Sequence, residues 1–344
     1  MLDTTTQAPD AVPETVMELR GLEREFARKP VLAERLMKLV GKAPDTPSLK
    51  AVRSVDFAIR EGEVLGLVGE SGCGKSTLGR MITGIIPPTG GAVTYQGADI
   101  SAMKGQALKD FTLGVQMIFQ DPYASLNPRQ RVGEILAEPL RVHGLATDKA
   151  DIRRRVDAAL TEVGLDTSYR DRYPHQFSGG QRQRIGIARA LIVEPSFLVC
   201  DEPIAALDVS IQAQVINLFL ALRAKRNLTY LFISHDLSVV RHIADRVAIM
   251  YLGKIVEMAP AQEIFANPAH PYTRTLLEQI PSVKNRKRHF EAVKGEIPSP
   301  HKPPSGCAFH PRCPMATARC RAEAPVTREI APGRTVSCHL HDAN

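Results

Sequence analysis

Apolar residues recur along the chain at two spacings, one typical of strands and one typical of helices. An alternating stretch from Val16 to Phe26 predicts a strand, and residues 51–69 contain two further strand-like runs joined by a Glu-Gly turn. From about residue 121 to 176 the pattern is helical and polar. Amphipathic helices then alternate with short apolar runs such as FLVCD and TYLFIS. Strands that alternate with helices of this length predict a mostly parallel sheet covered on both faces.

Three stretches depart from this alternation. Residues 1–15 are polar and contain Pro, which predicts a flexible leader. Residues 28–50 have a short amphipathic helix pattern with Pro near both ends, which predicts a surface insertion. Beyond residue 280 the chain becomes Pro-rich, basic and Cys-bearing. We therefore expect a leader at 1–15, a body at 16–280 and an extension at 281–344.

Composition excludes several classes of protein. Hydrophobic residues make up 44% and charged residues 24%, which excludes wholesale disorder. No run approaches the ~18 apolar residues of a membrane-spanning helix, and the start carries no signal-like segment. We therefore expect a protein on the cytosolic side. The absence of Trp argues against a stacking-based nucleic-acid reader. The net charge of +7 lies mainly in the extension, where an anionic partner and a merely solvated surface both stay open.

The clearest chemical motif is a glycine-rich stretch that fits GxxxxGK[ST]. We call it the phosphate loop, and it consists of Gly69, Glu70, Ser71, Gly72, Cys73, Gly74, Lys75, Ser76 and Thr77. Its glycines allow backbone N–H groups to face a phosphate chain, and the following helix adds its positive end. Lys75 is expected to reach the β- and γ-phosphates, and Ser76 to ligate Mg²⁺. The preceding apolar strand supports this interpretation over a structural Gly-rich turn.

A pair of carboxylates follows a second apolar run. Asp201 stands at the carboxyl end of the predicted strand FLVCD, where it can hold the Mg²⁺ shell. Glu202 is then placed to orient or deprotonate an attacking water. Alone, the pair could equally cap a helix, but next to a phosphate loop it predicts hydrolysis of a nucleotide.

A second anion-binding helix start is formed by Ser178, Gly179, Gly180 and Gln181, directly after Phe177. A Ser and two glycines at such a position present backbone N–H groups to an anion. Since the chain already has one phosphate cradle, this element predicts a sandwich, in which it covers the nucleotide held by another subunit.

These elements stand in one order along the chain: the phosphate loop, Gln120, FSGGQ, Asp201-Glu202, Ala206-Leu207-Asp208 and His235. The order resembles the ATP-binding subunit of ABC (ATP-binding cassette) transporters over roughly residues 17–280. The resemblance implies an α/β P-loop NTPase fold with a mostly parallel core sheet, a β-subdomain and a helical subdomain at about 121–181. It also implies ATP with Mg²⁺ and a second ATPase subunit, identical or related.

The resemblance also assigns roles to single residues. Gln120 would sense Mg²⁺ and γ-phosphate, and His235 would contact the γ-phosphate behind Glu202. Phe26 stands where relatives stack an aromatic residue, usually Tyr, on adenine. The resemblance also places Asp208 among the residues that bind the nucleotide. Ile204-Ala205 departs from the Thr-Ser usual before Ala206, which affects contacts across the dimer but leaves the carboxylates intact.

A narrower resemblance points to the oligopeptide and dipeptide importer ATPases. It rests on DPYASLNPR at 121–129, DVSIQAQ at 208–214, HPYTRTLL at 270–277 and the late cysteines. It implies two membrane permeases, an extracytoplasmic solute-binding protein and a place on the cytoplasmic face of the membrane. Peptides, nickel and other small solutes stay open as cargo. A soluble cassette protein acting on ribosomes or nucleic acid, and an exporter subunit, are the less favoured alternatives.

Four cysteines crowd into the extension, namely Cys307, Cys313, Cys320 and Cys338. Their spacing matches neither the usual zinc pattern nor the common ferredoxin run. Four thiolates nevertheless suffice for a metal site, and the resemblance favours a [4Fe–4S] cluster over Zn²⁺. Inert thiols remain the alternative, and His310 and His339 are rival ligands.

Overall fold

The computed structural model describes residues 14–27, 48–279 and 296–342. The predicted leader at 1–15 and the predicted insertion at 28–50 therefore lie almost entirely outside the described residues. Of the extension, residues 296–342 are described, and we call them the tail module. No helix in these ranges combines the length and apolar character that crossing a bilayer requires.

Strands and helices alternate through most of the described chain. The strands are β1 Thr15–Ala27, β2 Ser48–Arg60, β3 Val64–Val68, β4 Gly90–Tyr95, β5 Ala98–Asp99, β6 Val115–Ile118, β7 Phe197–Asp201, β8 Thr229–Ser234, β9 Arg246–Tyr251, β10 Lys254–Pro260, β11 Arg328–Ala331 and β12 Arg334–Val336. The helices are α1 Lys75–Ile82, α2 Gly105–Gly114, α3 Pro122–Ser125, α4 Val132–Val142, α5 Lys149–Glu162, α6 Gly179–Leu191, α7 Val209–Arg226, α8 Leu237–Ile243, α9 Ala261–Ala266, α10 Pro271–Glu278 and α11 Ala318–Ala322. Short 3₁₀ turns occupy Thr167–Asp171, Pro174–Gln176 and His339–His341.

The central sheet has the strand order β11-β12-β10-β9-β3-β8-β7-β6. From β9 to β6 neighbouring strands run parallel, whereas β9, β10, β12 and β11 pair antiparallel in succession. This mixed sheet matches the predicted architecture of a mostly parallel core. A second sheet, entirely antiparallel, has the order β2-β1-β4-β5 and forms the β-subdomain.

Strands β7 and β8 are buried at every position, which explains why their sequences are mostly apolar. Leu198 and Tyr230 pack on one face of the sheet with the helices of the 122–191 region. Their neighbours Val199 and Leu231 pack on the other face with the β-subdomain and α1. Because successive side chains of a strand point to opposite faces, a sheet covered on both sides buries every residue of its central strands.

The tail module continues the central sheet of the body. Strand β12 pairs with β10, with Glu257 opposite Val336 and Met258 opposite Thr335. Phe309 is buried in a cluster with Tyr251 and Tyr272. The described part of the extension is therefore packed against the body and shares its sheet.

Candidate nucleotide site

A cavity of about 420 Å³ lies where the phosphate loop leaves the carboxyl end of β3. Parallel strands place ligand sites at this edge. The cavity is lined by Phe26, Leu49, Lys50, Ala51, residues 71–77 of the phosphate loop, Gln120, Glu202, Leu252, Gly253 and Pro300. The structure thus brings together most of the residues expected to hold a nucleotide, although they come from widely separated parts of the sequence.

Glycine is required at two positions of the phosphate loop. Gly74 has φ +110°, and a Cβ there would lie 2.2 Å from the carbonyl oxygen of Ala51. A Cβ at Gly69 would lie 2.2 Å from the carbonyl oxygen of Met250. The loop therefore packs directly on neighbouring backbone before it enters α1, whose N-terminal N–H groups are available to an anion.

Lys75 is nearly fully buried, with 4% of its surface exposed. Its Nζ donates to the carbonyl oxygens of Gly69, at 2.7 Å, and Glu70, at 3.1 Å. It also lies 3.7 Å from Oε1 of Glu202. The cation is thus held by its own loop, beside the carboxylate that directly follows β7.

Ser76 and Asp201 supply two of the oxygen atoms expected to hold Mg²⁺. The Ser76 hydroxyl donates to Oδ1 of Asp201 at 2.8 Å. Burial raises the pKa of Asp201, and the negative charge of Glu202 raises it further, while the hydrogen bond from Ser76 lowers it. A hydroxyl and a buried carboxylate are hard oxygen donors of the kind that Mg²⁺ prefers, so these residues fit the ion.

Three residues are expected to support hydrolysis, and Glu202 contacts both of the others, Gln120 and His235. Its Oε2 accepts a hydrogen bond from Nε2 of Gln120 at 3.1 Å and lies 3.1 Å from Nδ1 of His235. Its backbone has φ +45°, in the left-handed region, and its N–H donates to the carbonyl of Ile233 at 3.0 Å. Such strain in a non-glycine residue is common where a side chain must be aimed at a reaction centre.

The FSGGQ element lies away from this cavity in its own chain. Ser178 caps α6, since its Oγ accepts from the N–H of Gln181 and the Gln181 side chain accepts from the N–H of Ser178. Gly180 packs so tightly that a Cβ would lie 2.4 Å from Cγ2 of Ile211. Ser178 itself is exposed. The helix start is therefore ordered and points outward.

Two other expected residues lie at the borders of the site. Phe26 lines the cavity, is 36% exposed, and has the guanidinium of Arg24 4.6 Å from its ring centre. Asp208 is exposed at the start of α7, where its backbone carbonyl accepts from Gln212. Of the unusual pair before Ala206, Ile204 is buried and Ala205 is exposed.

The cysteines of the tail module do not form a metal site as they are placed. The described residues contain no group of three or more His, Cys, Asp or Glu side chains close enough together to hold a metal ion. Of the rival ligands, His310 has Nδ1 3.0 Å from the carbonyl of Cys307. Both ring nitrogens of His339 contact other groups, namely Asp342 and the carbonyl of Glu323. The predicted iron–sulfur cluster and the zinc alternative thus lack structural support.

Sequence reasoning missed part of the cavity wall. Leu252 and Gly253 come from the turn after β9, and the Gly253 N–H donates to the carbonyl of Cys73 at 2.8 Å. Pro300 comes from the tail module. None of these residues stands in a recognisable motif, and only the fold brings them to the phosphate loop.

Comparison with known proteins agrees with this geometry. The family model described as "ABC transporter" matches residues 52–205, and that described as "Oligopeptide/dipeptide transporter, C-terminal region" matches residues 256–320. The solved structure of the ATP-binding cassette MJ0796 bound to ADP and Pi superimposes with a TM-score of 0.61 at 24% identity, covering 71% of this chain and 98% of that one. CbiO1 from Clostridium perfringens gives 0.60 at 24% identity, covering 74% and 91%. The fold is that of an ABC ATPase.

Curated sequences narrow the assignment. The oligopeptide transport ATP-binding protein AppF of Bacillus subtilis is 49% identical over 95% of this chain and 98% of its own length. OppF of Salmonella typhimurium is 51% identical over 85% of this chain and 88% of its own length. This chain belongs to the ABC transporter ATP-binding proteins, in the oligopeptide-transport branch of that family.

Proposed function

We propose that this chain binds ATP with Mg²⁺ and hydrolyses it to power the uptake of dipeptides and oligopeptides across the cytoplasmic membrane. The observation that carries the proposal is the convergence of Gln120 and His235 on Glu202 beside the buried Lys75. The cargo follows from the names of the relatives, which are oligopeptide transport ATP-binding proteins at about half identity.

In the nucleotide-binding half of this proposal, the phosphate loop surrounds the triphosphate with N–H groups, and Lys75 contacts the β- and γ-phosphates. Ser76 and Asp201 would hold Mg²⁺, together with Gln120. When bound, the ion would neutralise negative charge that develops on the phosphates during transfer. Phe26 stacks on the adenine at the mouth of the cavity.

In the hydrolytic half, Glu202 takes a proton from the attacking water. A bond forms between the water oxygen and the γ-phosphorus, and the bond from that phosphorus to the β–γ bridging oxygen breaks, releasing ADP. Gln120 orients the water and His235 contacts the γ-phosphate. The hydrogen bonds that already join these two side chains to the Glu202 carboxylate support the assignment.

Two such subunits close around two ATP molecules. The outward-facing start of α6 supports this part of the proposal, because Ser178, Gly179, Gly180 and Gln181 are ordered but do not line the cavity of their own chain. They are then available to the γ-phosphate held by a partner, with Asp208 at the same seam. ATP favours the closed pair and ADP does not, so hydrolysis reopens it.

The partners we propose are a second ATPase subunit, identical or related, two membrane permeases and an extracytoplasmic solute-binding protein. The subunit sits on the cytoplasmic face of the membrane and is attached through the permeases. The helical subdomain at about 121–181 supplies the docking surface, which includes the exposed Tyr123.

Cargo is tested by reconstituting the subunit with its permeases and binding protein in vesicles and measuring uptake of labelled di- and tripeptides. We expect accumulation that needs ATP on the side of this subunit and that is lost in Glu202→Gln. Uptake of nickel without peptide uptake would overturn the peptide assignment but keep the importer. Co-purification with ribosomes or nucleic acid, and without membrane partners, would overturn both.

A metal centre in the tail module is a second candidate property. It is supported by a feature that three of the cysteines share. Burial raises the pKa of the Cys307, Cys313 and Cys338 thiols, and in each case the backbone N–H two residues further on lowers it. An N–H that favours the thiolate suits a metal ligand. Cys320 is joined to Cys307 through the backbone, since its carbonyl accepts from the N–H of Cys307. Because the sulfurs are not grouped as placed, binding would have to draw them together.

Anaerobic purification followed by iron, sulfide and zinc analysis tests this second property. A [4Fe–4S] cluster would give about four iron atoms per chain and a visible absorption band that is lost on replacement of the cysteines by serine. Stoichiometric zinc would replace the cluster assignment, and a folded tail module without metal would end it.

A further inference from the structure

The second residue of the phosphate loop is bound by the tail module. Glu70 forms a bidentate ion pair with Arg312, in which Nη1 of Arg312 donates to Oε2 of Glu70 at 2.7 Å and Nη2 donates to Oε1 at 2.8 Å. The two residues are 242 positions apart in sequence. Arg312 is 7% exposed, and the pairing raises its pKa well above its ordinary value. A planar guanidinium matched to a carboxylate in this way fixes geometry as well as charge.

The backbone of Glu70 is held as firmly as its side chain. Its N–H donates to the hydroxyl of Tyr272 at 3.1 Å. Its carbonyl accepts from Nζ of Lys75 at 3.1 Å and from the N–H of Cys73 at 3.3 Å. Glu70 therefore links Lys75, which we expect to contact the phosphates, to Tyr272 and Arg312 outside the phosphate loop.

Arg312 and Phe309 lie in one short turn of the tail module, and each helps to hold Glu70 in place. The N–H of Arg312 donates to the carbonyl of Phe309 at 3.0 Å. Phe309 packs against the rings of Tyr272 and Tyr251, with centroids 5.3 Å from each. Arg312 thus contacts Glu70 directly, while Phe309 packs on the tyrosine that binds the Glu70 N–H.

The ion pair between Glu70 and Arg312 affects the charge that a bound ATP would meet. Glu70 places a carboxylate next to a site for a highly charged anion, where an unpaired negative charge would weaken binding. Arg312 neutralises that carboxylate and turns it away from the cavity, whose lining includes Ser71 but not Glu70. Without Arg312, the phosphate loop would carry a repulsive charge on a side chain with no fixed position.

We propose that Arg312 is a positioning residue for the phosphate loop, through which the tail module sets the affinity for Mg-ATP. The inference rests on ATP binding at this loop and is independent of the cargo. Because coupling between two sites is reciprocal, bound Mg-ATP also stabilises the tail module.

The test measures Mg-ATP affinity of the full chain by calorimetry for Arg312→Gln, Arg312→Lys, Glu70→Gln and the double variant Glu70→Gln/Arg312→Gln. Arg312→Gln should weaken binding by about tenfold, within the usual range of coupling. Glu70→Gln should change it little, and the double variant should recover most of the loss, because the stranded carboxylate is gone. Arg312→Lys should be intermediate. In ATPase assays of the same variants, KM should rise more than kcat falls.

Arg334→Gln is the matched control. Arg334 is an equally buried arginine of the tail module, but it pairs with Glu257 and Glu263, and none of these three residues lines the nucleotide cavity. It should lower thermal stability without weakening Mg-ATP binding. A loss as large as that of Arg312→Gln, or unchanged affinity in Arg312→Gln, would overturn the proposal.

Hydrogen exchange of the unaltered chain supplies an independent measurement. Mg-ATP should slow exchange around residues 306–313, and this protection should disappear in Arg312→Gln but persist in Arg334→Gln. Absence of protection in the unaltered chain at saturating Mg-ATP would contradict the coupling. Failure of the unaltered chain to bind Mg-ATP at all would instead refute the nucleotide site itself.

Discussion

The hydroxyl of Ser76 donates a 2.8 Å hydrogen bond to the carboxylate of Asp201. It joins the start of α1 to the end of β7, two elements that are 125 residues apart in sequence. Since both side chains are ligands expected for the same ion, their contact means that the protein itself holds the two halves of the expected Mg²⁺ site together. Such preorganisation lowers the cost of ordering the site on binding.

Removing the charge of Asp201 should stabilise the nucleotide-free protein while abolishing its ATPase activity. Burial raises the pKa of this carboxyl, so folding favours its protonated form, and the charged form costs stability above the folded-state pKa. We expect Asp201→Asn to raise the melting temperature at neutral pH by a few degrees, as ~1 kcal/mol does in domains of this kind.

The same variant should show no such gain at acid pH. Below the unfolded-state pKa of Asp201 both states are protonated, and the penalty that the substitution relieves is absent. Melting curves of both chains from about pH 3 to about pH 8, without nucleotide, measure the difference, because this range extends below the ordinary pKa of Asp. A gain that stays constant or grows as the pH falls would contradict the assigned cause.

Glu202→Gln should retain Mg-ATP binding but lose ATP hydrolysis by roughly 10²–10⁴-fold, the range that general-base catalysis contributes. The amide preserves the size of the side chain but cannot accept the proton of water. Calorimetry with Mg-ATP and a phosphate-release assay separate the two effects. The exposed Glu61→Gln is the control, and full retained hydrolysis in Glu202→Gln would refute the assignment of the base.

Lys75→Ala should lower Mg-ATP affinity by at least an order of magnitude, because it removes a buried cation expected at the phosphates. The Nζ contacts with Gly69 and Glu70 would be lost as well, so circular dichroism must accompany the binding measurement. A folded variant with unchanged affinity would contradict the role of the phosphate loop.

Gly74→Ala should disable the phosphate loop, whereas Gly97→Ala should be mild. Both glycines have positive φ, so both substitutions introduce backbone strain of roughly 1 kcal/mol. Only Gly74 adds a collision, 2.2 Å from a backbone oxygen, while no atom lies within 4 Å of a Cβ at Gly97. Mg-ATP titrations and melting curves of the two variants should therefore diverge. Equal behaviour would show that the close packing of the loop does not matter.

The sequence predicts those parts of the site that depend on local pattern. The phosphate loop, the apolar strand before Asp201 and the helix start at Ser178 each combine a motif with an adjacent element, and the structure has a strand or a helix beside each motif. The mostly apolar sequences of β7 and β8 indicated a sheet covered on both faces, and both strands are buried throughout.

The remaining features depend on contacts between distant segments, which local spacing does not encode. Pro300 and Arg312 reach the nucleotide site from the tail module, although nothing in their neighbourhood marks them. The crowding of four cysteines into the extension indicated a metal, but the grouping of their sulfurs is set by turns that the sequence pattern does not specify. The family resemblance assigned roles to residues that stand in a known order, whereas contacts between distant segments come only from the structure.

The pairing of β12 with β10 bears on how this protein can be shortened. A chain that ends before the tail module would leave β10 as an edge strand, with the backbone groups that face β12 exposed to solvent, such as the Val256 carbonyl that accepts from the N–H of Ser337. Exposed edge strands of this kind pair with strands of other molecules. Trimming the protein to its nucleotide-binding body should therefore make it prone to aggregation through β10.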